Sequence, residues 1–161
     1  MLDIGCGLGY QALDIQRQSG ARVTGIDVIY YLDSDFSCKI FDGIHIPYSD
    51  KFFNVSYLSY VLHHAVKPMK LLAEALRVSR KRVLIIEDTP RNFFDRTLDA
   101  YHGWSFNKFY GLQHASAFRT RKEWEQIFEK SRVKSFQAIP FGRFNREIYF
   151  PISRTLFIID R

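Results

Sequence analysis

Residues 2–10 read LDIGCGLGY, a short apolar strand running straight into glycines at positions 5, 7 and 9. Three alternate glycines between a strand and a helix are costly to order, so they point to a tight turn with close backbone approach to a ligand. The N-terminus of the following helix favours an anionic group, which makes the turn a nucleotide cradle by its chemistry. A dinucleotide loop runs G-x-G-x-x-G, and Tyr10 stands where its third glycine belongs. That difference argues against a nicotinamide cofactor.

The rest of the chain alternates strands with helices. MLDI, ARVTGIDV, CKIFDG, VSYLSYVL and RVLIIED read as strands, YQALDIQRQSG as a helix closed by Gly20, and PMKLLAEALRVS as a helix opened by Pro68. In the latter, the spacing puts Met69, Leu72, Ala73 and Leu76 on one side. RTRKEWEQIFEKSR reads as a further helix, with Thr120 as N-cap and Trp124, Ile127 and Phe128 on its apolar side. The β-rich runs VKSFQAIPFG and EIYFPISRTLFIID, joined by a short link, form a hairpin with an antiparallel final strand. Such alternation predicts an α/β fold, a doubly wound and mostly parallel sheet in one domain spanning 1–161.

Composition excludes several classes. No apolar run approaches the about 18 residues of a membrane span, and the chain opens without a signal-peptide pattern, so a cytoplasmic protein is expected. Cys6 and Cys38 fit no metal spacing and are expected to be reduced. The net charge of +6 is uneven: residues 1–60 hold 4 basic against 7 acidic side chains, and the remainder holds 19 against 10. A basic half suits nucleic acid, an anionic surface or an acidic substrate, but its scattered charges also suit a solvated helical face.

The blocks LDIGCGLGY, GID, FDGIHIPYSDKFFN, YVLHHAVKP and LLAEALRVSRKRVLIIED, in that order, resemble the class I S-adenosylmethionine (SAM)-dependent methyltransferases, especially the type 11 group. The resemblance spans about Leu2–Asp88 and implies a Rossmann-like sheet and SAM as cofactor. It places Asp3, Gly5, Cys6 and Gly7 around the methionine part of SAM, Asp27 on the ribose and Val28 against the adenine. Asp42, with Gly43 and Ile44, would line the adenine amino edge, and Ser59 and Tyr60 would flank the sulfonium. It implies no metal. Tyr60, His63 and His64 are candidates for catalysis, with packing the commoner use of such paired histidines.

Residues 89–118 form an aromatic-rich insertion expected to pack an extra helical layer, to cover the acceptor as a lid through Tyr101, His102, Trp104, Phe109 and His114, or to do both. A small-molecule acceptor is the leading expectation; an RNA acceptor and a non-catalytic SAM-binding module are the alternatives. Family members carry a helix before the first strand, and here Met1 already lies in that strand. The resemblance therefore predicts a missing N-terminal helix and an open sheet face exposing Tyr30, Tyr31 and Phe36, a face suited to a homodimer.

Overall fold

The computed structural model describes residues 1–30, 36–110, 118–131, 133–141 and 153–161, without the side chains of His102, Phe106, Asn107, Phe109, Tyr110 and Phe141. Strands β1 (Leu2–Ile4), β2 (Thr24–Asp27), β3 (Cys38–Ile40), β4 (Phe53–Ser59), β5 (Ser79–Asp88), β6 (Ser135–Phe141) and β7 (Arg154–Asp160) form one sheet. Its order is β3-β2-β1-β4-β5-β7-β6. The first five strands pair in parallel. β7 runs antiparallel between β5 and β6, as expected for the final strand. The order reverses between β1 and β4, and that switch point opens a crevice at the carboxyl ends of the strands.

Helix α1 (Tyr10–Ser19) ends where Gly20 takes a left-handed φ of 67° and its N–H reaches Gln16 O. Helix α2 (Pro68–Val78) starts with its proline in the first turn. It buries Leu71, Leu72, Ala75 and Val78, whereas Met69 and Ala73 are exposed. The apolar stripe is therefore rotated from the sequence expectation, because Leu71, Ala75 and Val78 follow one another at i, i+4 and i+7. Helix α4 (Arg121–Lys130) carries a full capping box between Thr120 and Glu123, and it buries Trp124 and Phe128 with Ile127 partly covered.

Strand alternation divides the sheet into two faces. Leu2, Ile4, Ile26, Leu58, Val83, Ile85, Phe157 and Ile159 share the main core with α2 and α4. The other face carries Asp3, Gly25 and Tyr57, whose hydroxyl donates to Gln11 Oε1 of α1 at 2.5 Å, and a small cluster of Ala12, Val23 and Phe36. Farther along, Leu84, Ile86, Leu156 and Ile158 stay only partly buried.

Phe36 corrects the expectation of an apolar residue laid bare, since it is buried at 8% exposure. It fills notches left by two glycines: a Cβ on Gly9 would stand 2.2 Å from Phe36 Cβ, and one on Gly25 2.3 Å from Phe36 Cε1. Tyr30 is exposed at 65%, and Tyr31 lies outside the described residues.

Most of the aromatic insertion is one helix, α3 (Phe93–Tyr110). Its amphipathicity is inverted. Asp95 and Asp99 are buried, while Phe93, Phe94, Tyr101 and Trp104 are well exposed, so these four aromatics do not pack an extra layer. No described helix is long and apolar enough to cross a membrane.

Candidate functional site

The glycine loop is shaped first by its backbone. Gly5, Gly7 and Gly9 all have positive φ, between 52° and 78°. Their surroundings differ, however. A Cβ on Gly5 would meet Val61, one on Gly9 would meet Phe36, and one on Gly7 would have nothing within 4 Å. Gly5 and Gly9 thus serve packing, and Gly7 alone leaves open space in front of its backbone.

Asp27, buried at the end of β2, ties this loop to the next. Its Oδ2 accepts from Gly7 N at 2.7 Å, and its Oδ1 accepts from Val28 N at 2.6 Å and Ile29 N at 3.1 Å. Asp42 plays a similar part after β3: Oδ1 accepts from Ile44 N and His45 N, and Oδ2 lies 2.6 Å from His45 Nδ1. The His45 backbone N–H and then its side chain hold the Asp42 carboxyl down at about 2. It is an anion at any ordinary pH.

These loops enclose a cleft of about 350 Å³. Gly5 and Gly7 line it from β1, Asp27 and Val28 from β2, Asp42 and Gly43 from β3, and Ser59 and Tyr60 from β4. Eight of the eleven residues expected around the cofactor therefore meet in one place, whereas Asp3, Cys6 and Ile44 are not among its lining residues. Phe41, Val61, Ala65 and Leu71 add apolar wall. Sequence reasoning missed them because the residues after each strand carry no mark of which way they face. Tyr60 holds a left-handed φ of 57°, rare for a side chain of its size, and such outliers cluster at functional sites.

Behind the cleft, Asp3 is 2% exposed. Burial, and next the Asp27 charge, push its carboxyl up to about 7. Cys6 and Cys38 are free thiols, and burial followed by the hydrogen bond with Cys38 pushes the Cys6 thiol up, away from a reactive thiolate. Asp3→Asn gives a pH-dependent stability prediction. Between the ordinary value of 3.8 and about 7 the native chain holds a proton that the unfolded chain has released, so stability falls as pH rises through that window. Asp3→Asn should melt above the parent at pH 8, by up to about 4 kcal/mol, and match it near pH 4. Thermal unfolding across pH checks this, and a gap that stays constant would refute it.

The two histidines part company. His64 lines the cleft, but His63 is buried on Glu87, whose other oxygen accepts from Leu62 N at 2.8 Å. Burial alone would lower the His63 pKa, yet the charge and hydrogen bond of Glu87 win and raise it. His63 also stacks on Phe118 at 4.5 Å, so it locks the β4–α2 turn to β5. Among the expected lid residues, Tyr101 and Trp104 lie 5.9 Å apart on exposed α3 and do not line the cleft. The side chains of His102 and Phe109 are not described, and His114 lies outside the described residues. No group of three or more potential metal ligands occurs among the described residues.

A family model described as a methyltransferase domain matches residues 2–86. The tRNA U34 carboxymethyltransferase of Nautilia profundicola is 28% identical over 85 residues, covering 46% of this chain and 28% of that protein. The chain thus spans little more than a quarter of that curated relative. A SAM-dependent methyltransferase from Archaeoglobus fulgidus superposes with a TM-score of 0.73 at 14% identity, over 99% of this chain and 85% of its own. The YcgJ protein from Bacillus subtilis gives 0.68 at 16%, over 99% and 90%. At these identities the likeness is one of fold.

Proposed function

Since this chain belongs to the methyltransferase domain family, we propose that it transfers a methyl group from SAM to a small-molecule acceptor by in-line displacement. The observation that carries this reading is the cleft, where the open backbone of Gly7 and the fixed carboxylates of Asp27 and Asp42 converge.

The residues present fit the cofactor. Gly7 leaves space that a Cβ would fill, Asp27 offers a buried carboxylate to ribose hydroxyls, and Val28 offers an exposed apolar surface to a purine. Asp42 and Gly43 complete the adenine side, while Ser59 and Tyr60 border the reacting end. SAM supplies an activated methyl on a sulfonium and leaves as a neutral thioether. The protein's task is therefore to exclude water and to aim the acceptor atom along the line of displacement. Tyr60, whose backbone N–H donates to Ile86 O at 2.8 Å, is the residue we assign to that positioning. His64, which also lines the cleft, is the candidate to take a proton where the acceptor must lose one.

The excess of basic residues after position 60, and a relative named for tRNA modification, support RNA as the second reading. Methyl-labelled SAM offered with small-molecule extracts and separately with bulk tRNA distinguishes the two, alongside mass spectrometry of any copurified ligand. Label in a small-molecule product is expected. Label in tRNA alone would favour the second reading, and tight SAM binding without turnover on either would leave a non-catalytic module.

A further inference from the structure

A second cleft, of about 390 Å³, opens at the carboxyl end of β5, where the antiparallel β7 begins and α4 starts. Four cations line it: Arg91, Arg121, Lys122 and Arg154. Among the described residues no acidic side chain lines it. The remaining lining residues are two prolines and the hydroxyl-bearing Thr89, Thr120, Ser153 and Thr155. A lining of hydroxyls and positive charge, with the nearby carboxylates Glu123, Glu125 and Asp88 engaged by Thr120, Arg121 and Arg154, favours an anion at the remaining groups.

Two of the cations are answered within the protein. Arg121 Nε bonds Glu125 at 2.7 Å, and Arg154 Nε lies 3.5 Å from Asp88. Arg91 and Lys122 have no carboxylate within ion-pair distance among the described residues. The N-terminal turn of α4 is already capped by the Glu123 carboxylate, so the charge offered to an anion comes from the side chains and not from the helix end. An independent observation points the same way. Ser153 is 3% exposed and its Oγ has no hydrogen-bond partner among the described residues, although buried hydroxyls are normally satisfied. Thr89 and Thr155, by contrast, bond each other at 2.8 Å. A buried, unanswered donor beside two unanswered cations calls for an acceptor-rich dianion.

The linings of the two clefts touch where Arg154 meets Tyr60. The Arg154 guanidinium stands 5.3 Å from the centroid of the Tyr60 ring, and Tyr60 lines the cofactor cleft. Resting on the function proposed above, we infer that this cleft holds the phosphate group of the methyl acceptor, which is therefore a phosphorylated small molecule. Arg91, Lys122 and Ser153 take the phosphate oxygens, and Arg154 lies along the path by which the rest of the molecule reaches Tyr60. The charge of the anchor sets specificity, and methyl transfer follows from where the anchored molecule ends.

Calorimetric titration of the full chain with inorganic phosphate, acetate and S-adenosylhomocysteine tests this. Phosphate should bind in the millimolar range and acetate far more weakly. The double variant Arg91→Ala/Lys122→Ala should weaken phosphate by about tenfold or more, as loss of charge-assisted hydrogen bonds demands, with S-adenosylhomocysteine affinity within about twofold of the parent. Ser153→Ala, a smaller change, should weaken phosphate by a few-fold without altering the fold. Phosphate that fails to bind, or binds the double variant as well as the parent, overturns the inference. So does acetate binding as tightly as phosphate. An unphosphorylated RNA oligonucleotide whose affinity falls in the double variant, with free phosphate unbound, would overturn it in favour of a nucleic-acid backbone. Loss of S-adenosylhomocysteine binding in the parent chain would instead count against the cofactor assignment, and is read separately.

Discussion

Asp27→Ala is expected to weaken SAM binding by about tenfold to a hundredfold or more while leaving the sheet folded. One carboxylate holds three backbone N–H groups, from Gly7, Val28 and Ile29, and so fixes the loop after β1 against the loop after β2. Removing it takes away the proposed partner for ribose and at the same time frees the two loops that it ties together. The freed N–H groups face a cleft open to water, which limits the loss of stability. Asp27→Asn, which retains the shape but turns one acceptor into a donor, should fall between. Calorimetry with SAM, beside a thermal melt, is the measurement. Unchanged affinity in a folded Asp27→Ala protein would remove this residue from the cofactor site.

A pair of glycine substitutions should separate packing from binding. In Gly9→Ala the new methyl lands 2.2 Å from Phe36 Cβ, and Phe36 cannot retreat because its ring is already wedged above Gly25. Overpacking of this kind, with the strain of a left-handed φ, should cost about 2–4 kcal/mol of stability. Gly7→Ala meets no neighbour, so its cost is the left-handed backbone alone, about 1–2 kcal/mol. Its methyl projects into the open space proposed for the cofactor, and SAM affinity should fall by about tenfold or more. Melting curves and SAM titrations on both variants give the answer. Equal effects on stability would contradict the division of labour between these two glycines.

The lining of the cleft proposed for the cofactor is legible in the sequence because its parts are local. Gly5 and Gly7, then Asp27, then Asp42 and Gly43, then Ser59 and Tyr60 each sit just past a strand, and parallel pairing brings strand ends together whatever lies between them. What resisted reading depends on contacts between distant residues. Nothing near Gly9 or Gly25 announces that one phenylalanine, Phe36, occupies both notches. Helix α3 defeats pattern reasoning differently, since it buries Asp95 and Asp99 and exposes Phe93, Phe94, Tyr101 and Trp104, the reverse of the usual amphipathic rule. The basic cleft was hidden for a third reason. Arg91, the Arg121–Lys122 pair and Arg154 read in sequence as scattered surface charge, and they converge because the antiparallel β7 starts at the end where β5 finishes.

That strand order also has a consequence in time. β7 lies between β5 and β6, so neither the far edge of β5 nor any part of β6 has a partner until residues 154–160 exist. Roughly 65 residues (89 to 153) separate the end of β5 from the start of β7. At a synthesis rate of about 5–20 residues per second, a nascent chain carries β5 unpaired along one side for roughly 3–13 seconds. The edge so left open includes Val83 and Ile85, apolar and β-branched, which are features that invite pairing with a neighbouring chain. Slow translation through 89–153, or chains terminated within it, should therefore raise the fraction lost to aggregation even though every residue proposed to hold the cofactor has already been made.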